Sequence, residues 1–220
     1  MLPKFAAAID PIFVAAVDIE SRIARGENVV TAVIRDSLVR KIEEAEGKLG
    51  TTDEWKLSKY AICAWIDSRL IEIPWQQSGW WKDNCLEKKF FGTRDAHEEF
   101  FTRANEADAL PGKNALEVFY LAVVLGFRGF YANSNSSYAR QTADRLRVPD
   151  TVERWCDKTV RKLHLRQGRP AISNPVISQG TNKPLNGKHL LLLYAMLSCI
   201  LVAIACACAI FLYGSNIGAG

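Results

Sequence analysis

The sequence predicts an all-α fold followed by one transmembrane helix. Apolar residues recur every three or four positions through most of the first 165 residues, whereas no strand-like alternation or Asn-Gly hairpin occurs. The chain is 49% hydrophobic and 24% charged, so it can form a core and is not a disordered protein. Residues 190–213 carry no charge, and 24 helical residues are enough to cross about 30 Å of hydrocarbon.

Three helices are predicted first. Asp10-Pro11 has the form of a helix start, and this helix is expected to end near Arg25, before Gly26. The second helix is expected to end at Gly47 and Gly50. Its apolar face comprises Val30, Val33, Ile34, Leu38, Ile42 and Ala45. The third follows a capping-box pattern at residues 51–54 and is apolar on more than one face as far as Pro74, which predicts burial on both sides.

The remaining helices bring the expected number to about seven or eight. A shorter helix opens at Ser78-Gly79 and carries Trp81, Leu86 and Phe90, and another covers residues 96–106. Asn114 starts a segment that is apolar nearly all round up to Tyr131, a candidate central helix. Two more are predicted at about 136–146 and 150–165.

The sequence divides into four regions. A helical domain covers residues 1–167, and a linker rich in Pro, Gly and Asn covers 168–189. As a flexible coil this linker spans on the order of 25 Å. The transmembrane helix is predicted at 190–213, with a short periplasmic tail at 214–220. Basic residues precede this helix and none follows it, which predicts a cytoplasmic domain and a single-pass topology.

The sequence shows no pattern of enzyme, metal or cofactor chemistry. The histidines His97, His164 and His189 are isolated, and no HExxH, GxSxG or phosphate-binding loop occurs. The six cysteines have no CxxC spacing, which favours reduced thiols. A net charge of +4 is too small to indicate a nucleic-acid surface. We therefore expect no catalytic residue, no metal and no cofactor.

The order of aromatic and glycine-containing segments is more specific. After YAICAWIDSRL at Tyr60 come Pro74-Trp75, Trp81, the segment EEFF at 98–101, and Leu116-Glu117 followed by LGFRGFY at 125–131. This resembles the TssL/DotU (IcmH) family, an inner-membrane component of type VI and of related type IVB secretion systems. The resemblance covers about residues 10–165.

The resemblance implies two packed helical bundles tied by one helix to the bacterial inner membrane. It implies a non-enzymatic, tail-anchored adaptor that links the type VI membrane complex to the cytoplasmic baseplate. The implied partners are an IcmF/TssM-like inner-membrane protein and TssK/TssE-like baseplate components, with possible self-association. Some relatives add a peptidoglycan-binding domain after the anchor; none follows here, so we expect wall anchoring to come from a partner.

The sequence leaves three alternatives open. The chain could be a DotU-type stabilising component of a type IVB system. It could also be a tail-anchored regulator that binds an amphipathic helix in a groove, as Bcl-2-like proteins do. The second is disfavoured because the segment SGWWK lacks that family's NWGR pattern. A membrane-tethered enzyme ranks third.

Several residues are candidates for partner contacts. The family usually has an Asp-Glu pair where this chain has Asp67 and Ser68, and Glu72, one turn further on, can restore the negative charge. Asp67 is either a buried hydrogen-bonding residue or a partner contact. Trp75 and Trp80 become binding candidates if they are exposed. Glu117 is either a helix-start residue or a docking residue.

Three further patterns have both a structural and a functional interpretation. Small residues recur every four positions in the membrane segment and favour close helix packing; they are Ala195, Cys199, Ala203 and Ala207. A basic run begins at Arg154 and continues to Arg169, either as a solvated helix face or as an attraction for anionic lipid headgroups. Gly126 and Gly129 are expected to allow a close approach or to end a helix.

Overall fold

The computed structural model describes residues 1–133 and 137–166, and the side chains of 1–132 and 137–163 among them. These residues form nine α-helices and one 3₁₀-helix without a strand: α1 (Pro3–Ala24), α2 (Thr31–Leu49), α3 (Asp53–Glu72), α4 (Ser78–Asp83), α5 (Leu86–Phe91), α6 (Ala96–Ala109), α7 (Asn114–Val124), the 3₁₀-helix (Gly129–Asn133), α8 (Ser137–Leu146) and α9 (Val152–Arg166). The all-α prediction is confirmed for the described residues. The predicted linker, transmembrane helix and tail lie outside them.

The first helix begins earlier than predicted. α1 starts at Pro3 and contains Pro11 in its interior, so the predicted start at Asp10-Pro11 is wrong. Pro11 lacks the N–H that would bond the carbonyl of Ala7, but both residues are exposed and water can satisfy that carbonyl. The predicted end is confirmed, because Arg25 caps the helix and Gly26 follows with φ +74°.

The buried face of α2 is rotated relative to the prediction. Ile34, Leu38 and Ile42 are buried as expected, whereas Val30 and Val33 are each 62% exposed. Val39, which was not in the predicted face, is buried. Successive helical residues differ by about 100°, so a face centred between Ile34 and Val39 turns Val33 away from the core.

The centre of the fold is α3. Twelve of its twenty residues are buried, which confirms the prediction that more than one face is covered. It contacts α1, α2 and all four helices from α4 to α7, and α7 is its most extensive partner. Thr52 caps its N-terminus by accepting a hydrogen bond from the backbone N–H of Trp55 at 3.2 Å. The predicted helix at Ser78 is two short helices, α4 and α5, which accounts for the larger number of elements.

The predicted central helix after Asn114 is shorter than expected. α7 ends at Val124, and the chain turns through Gly126, with φ +110°, into the 3₁₀-helix. By length and composition alone, the segment 114–132 is long and apolar enough to cross a membrane, but half of it is buried inside the domain. At Gly129 a Cβ would lie 2.7 Å from the carbonyl oxygen of His97. These glycines therefore end a helix and allow a close approach.

Candidate functional site

A cleft of about 290 Å³ opens between α3, the α4–α5 segment, the start of α6 and the turn after α7. Ala64, Ile71 and Phe127 give it an apolar floor. Titratable side chains surround this floor, and they come from segments far apart in the sequence: Asp67, Glu72, Lys82, Cys85, Glu87, Arg94 and His97. The site is therefore a product of tertiary packing, with α3 as its longest wall.

Asp67 lines the cleft beside this apolar floor and is only 4% exposed. Its Oδ1 accepts hydrogen bonds from Trp81 Nε1 and from the Leu86 backbone N–H, both at 2.9 Å, and its Oδ2 accepts one from the Glu87 N–H at 2.7 Å. The carboxylate thus caps the N-terminus of α5 from α3. Burial raises the pKa of Asp67 to about 7, although the three hydrogen bonds act in the opposite direction. Of the two roles left open by the sequence, this geometry describes the structural one.

Glu87 is a second buried carboxylate beside the first, and sequence reasoning missed it. Its Oε1 accepts hydrogen bonds from Tyr60 Oη at 3.0 Å, Thr93 Oγ1 at 2.8 Å and the Asp95 N–H at 3.0 Å. Its Oε2 accepts the N–H of Ala96 at 3.3 Å, at the start of α6. Burial, together with the Glu87 carboxylate, raises the pKa of Tyr60. The two acids together hold α5 and α6 against α3.

The rim of the cleft carries exposed charges of both signs. On α3, Ser68 Oγ donates a hydrogen bond to Glu72 Oε1 at 2.6 Å, so this serine orients an acidic neighbour. Lys82 and Arg94 are exposed on the α4–α6 side, and Arg94 donates to the carbonyl oxygen of Asp83 at 2.9 Å. A preformed apolar floor with charges around it suits the recognition of a polypeptide segment.

The other predicted partner residues lie outside this cleft. Trp75 is half-buried and donates from Nε1 to the carbonyl oxygen of Leu70 at 2.7 Å; it borders a separate groove of about 410 Å³. Trp80 is half-buried next to Trp81. Glu117 lies in the first turn of α7, where it pairs with the amino group of Met1. Only Asp67 and Glu72 of the predicted residues meet in one site, and the membrane-helix residues lie outside the described part of the chain.

No local signal in the sequence marked Lys82, Glu87, Arg94 or His97 as parts of one site. The first three lie in short charged segments that read as solvent-exposed, and His97 was identified only as an isolated histidine. Among the described side chains, no group of three or more His, Cys, Asp or Glu residues could hold a metal ion.

A comparison with models of protein families identifies one family. The sequence profile described as "Type VI secretion system protein DotU" matches residues 4–215. A search of curated proteins finds no match. Among solved structures, the crystal structure of the type VI secretion protein SciP/TssL from enteroaggregative Escherichia coli 042 is similar, with 24% sequence identity and a TM-score of 0.47. The match covers 69% of this chain and 91% of the chain in that crystal structure.

Proposed function

This chain belongs to the DotU family of type VI secretion system proteins, and on that basis we propose that it is a non-enzymatic adaptor of the type VI membrane complex. The family is a structural component of the secretion system and is associated with the inner membrane. In the proposed role, residues 190–213 anchor the chain. The helical domain, cytoplasmic and built of two packed bundles, links an IcmF/TssM-like protein in the membrane to TssK/TssE-like subunits of the baseplate.

The observation that carries the proposal is the cleft between α3 and α6. Its floor is apolar, and its rim has Glu72 on one wall with Lys82 and Arg94 on the other. Charges of opposite sign on facing walls favour one orientation of a bound segment, because reversing the segment would bring like charges together. The buried carboxylates Asp67 and Glu87 keep this shape in the absence of a partner, which reduces the ordering cost of binding.

Affinity purification of the full-length chain from its native host in mild detergent tests the proposal directly. We expect an IcmF/TssM-like protein and baseplate subunits to be identified by mass spectrometry in the purified material. Recovery of the chain alone, or with soluble metabolic proteins only, would refute the adaptor role and reopen the groove-binding and enzymatic alternatives.

Two charge reversals then test the cleft itself. Glu72→Lys and Lys82→Glu should each lower baseplate recovery by about fivefold or more, because each places a like charge against the partner. Glu43→Lys and Lys48→Glu change the same charges at exposed positions of α2 and serve as matched controls. Unchanged recovery in both cleft variants would remove this surface from consideration, while recovery of the inner-membrane protein reports separately on the anchor.

The membrane helix can be tested with substitutions of equal size. We expect Cys199→Leu with Ala203→Leu to weaken self-association or association with the membrane partner, because bulky residues keep helices apart. Ala205→Leu with Cys208→Leu adds the same volume about 190° around the helix and should leave association intact. Full assembly of the first variant, measured by co-purification, would show that the helix contacts lipid only.

A further inference from the structure

Charge is distributed unevenly along this chain. Asp157 is the last acidic residue in the sequence, and residues 158–220 contain seven Lys or Arg residues without an Asp or Glu. Residues 1–157 contain 21 basic and 24 acidic residues, so the net positive charge of the chain comes from the later part. All seven basic residues precede the predicted membrane helix: Lys158, Arg161, Lys162, Arg166, Arg169, Lys183 and Lys188.

The structure shows how the first of these residues are presented. Trp155, Thr159 and Leu163 of α9 are buried, and α9 packs against α7. Lys158 and Arg161 of the same helix are exposed to solvent. A surface groove of about 380 Å³ runs along this exposed part of the helix, and it is lined by Arg154, Asp157, Lys158, Arg161 and Lys162.

The groove residues differ in how far their charge is already compensated. Arg154 makes two hydrogen bonds to the carboxylate of Asp150, at 2.7 and 2.8 Å, and Lys162 pairs with Asp108. No ion pair with another described side chain is found for Lys158 or Arg161. These two cations face solvent at the point where the acid-free part of the chain begins, so they can bind an external anion without breaking an internal contact.

We propose that this outer face of α9 binds the anionic phospholipid headgroups of the membrane in which the chain is anchored. The proposal rests on the proposed function, since the predicted anchor keeps α9 within reach of a bilayer through a linker of on the order of 25 Å. A basic segment immediately before a membrane helix is attracted to anionic lipid, by about fivefold in affinity for each Lys or Arg at the surface. Exposed Lys158 and Arg161 extend that segment onto the folded domain.

Such a contact would orient the domain without occupying the cleft. No described residue of α9 lines the cleft between α3 and α6. A membrane-bound α9 and a partner in the cleft are therefore compatible in the same molecule. The lipid contact would give the helical domain a preferred face towards the bilayer.

The test uses the full-length chain reconstituted into nanodiscs of phosphatidylcholine alone or of phosphatidylcholine with phosphatidylglycerol. Hydrogen exchange of the 150–166 peptide, measured by mass spectrometry, reports how far α9 is protected from solvent. We expect exchange to be slower by on the order of tenfold in the anionic discs, and the difference to disappear at high salt. Lys158→Glu with Arg161→Glu should abolish the difference, whereas Arg40→Glu with Lys48→Glu, an equal change of charge on exposed positions of α2, should not.

The outcomes separate the lipid contact from the anchor. The proposal is overturned if the 150–166 peptide exchanges equally fast in both kinds of nanodisc. It is also overturned if the α9 and α2 double variants lose the lipid-dependent difference to the same extent. Protection that appears only after a protein partner is added, whatever the lipid charge, overturns it in favour of a protein interface. Extraction of the chain by alkaline carbonate would refute the anchor. Charge-dependent protection of α9 by added phosphatidylglycerol vesicles in that case would still support the headgroup surface.

Discussion

The wall of the cleft and the outer face of α9 both carry charged residues, but these charges have different consequences. In the wall of the cleft, Asp67 and Glu87 are buried, and their four oxygens accept seven hydrogen bonds from α3, α4, α5 and the segment 93–96. On α9, Lys158 and Arg161 are exposed. A buried charge must be satisfied internally and therefore determines how helices join, whereas an exposed charge leaves the fold unaffected and determines what can bind.

The largest expected effect is the removal of a buried carboxylate. Glu87→Ala should lower the free energy of unfolding by about 3–5 kcal/mol, because two hydroxyl and two backbone donors would lose their acceptor. The measurement is denaturant unfolding of the full chain in detergent, monitored by circular dichroism. Glu43→Ala, at an exposed position of α2, is the control and should change stability little. Equal stability of both variants would mean that Glu87 does not hold α5 and α6 in place.

Asp67 should make stability depend on pH. Its pKa is raised from 3.8 to about 7 in the folded protein, so the folded state binds this proton more tightly than the unfolded state does. The contribution of Asp67 to stability is therefore fully present below about pH 4 and is lost as pH rises through 7. Between pH 5 and 7 we expect a decrease of about 2 kcal/mol.

Comparison with Asp67→Asn isolates this effect from the other titrating groups. The asparagine does not titrate, so the difference in unfolding free energy between wild type and variant should change by the same amount across that pH range. A constant difference between the two proteins would show that Asp67 stays ionised, with its hydrogen bonds outweighing its burial.

Backbone geometry beside the cleft gives a smaller effect. Gly129→Ala should cost about 1–2 kcal/mol, since its φ is +52° and the new Cβ would meet the carbonyl oxygen of His97. Gly47→Ala is the matched control, because Gly47 lies inside α2 with no atom within 4 Å of the added Cβ. That change should stabilise the protein by about 0.5–1 kcal/mol. The unfolding temperatures of the two variants should therefore shift in opposite directions.

The smallest effect is expected on α9. Lys158→Glu with Arg161→Glu should change the unfolding free energy by less than about 0.5 kcal/mol, because neither side chain is buried. The same denaturant experiment measures it. A loss comparable to that of Glu87→Ala would end the distinction between the two regions and would make α9's charges structural.

The sequence by itself determined the helical class, the burial of α3 and the family. Periodicity and local capping are properties of neighbouring residues, so Thr52, Pro74 and the apolar spacing in α3 could be interpreted directly. The order of aromatic and glycine-containing segments was distinctive enough to identify the family, which the profile match over residues 4–215 confirms.

Only the tertiary structure decided where two helices begin or end and which residues form the cleft. Pro11 is tolerated inside α1 because the carbonyl oxygen of Ala7, which has no N–H partner at Pro11, faces solvent. Helix α7 ends at Val124 because the chain then turns towards the rings of Phe100 and Phe101. Asp67 meets Glu87 only after α5 packs on α3. Contacts between residues this far apart depend on the packing of whole helices, so local sequence patterns do not predict them.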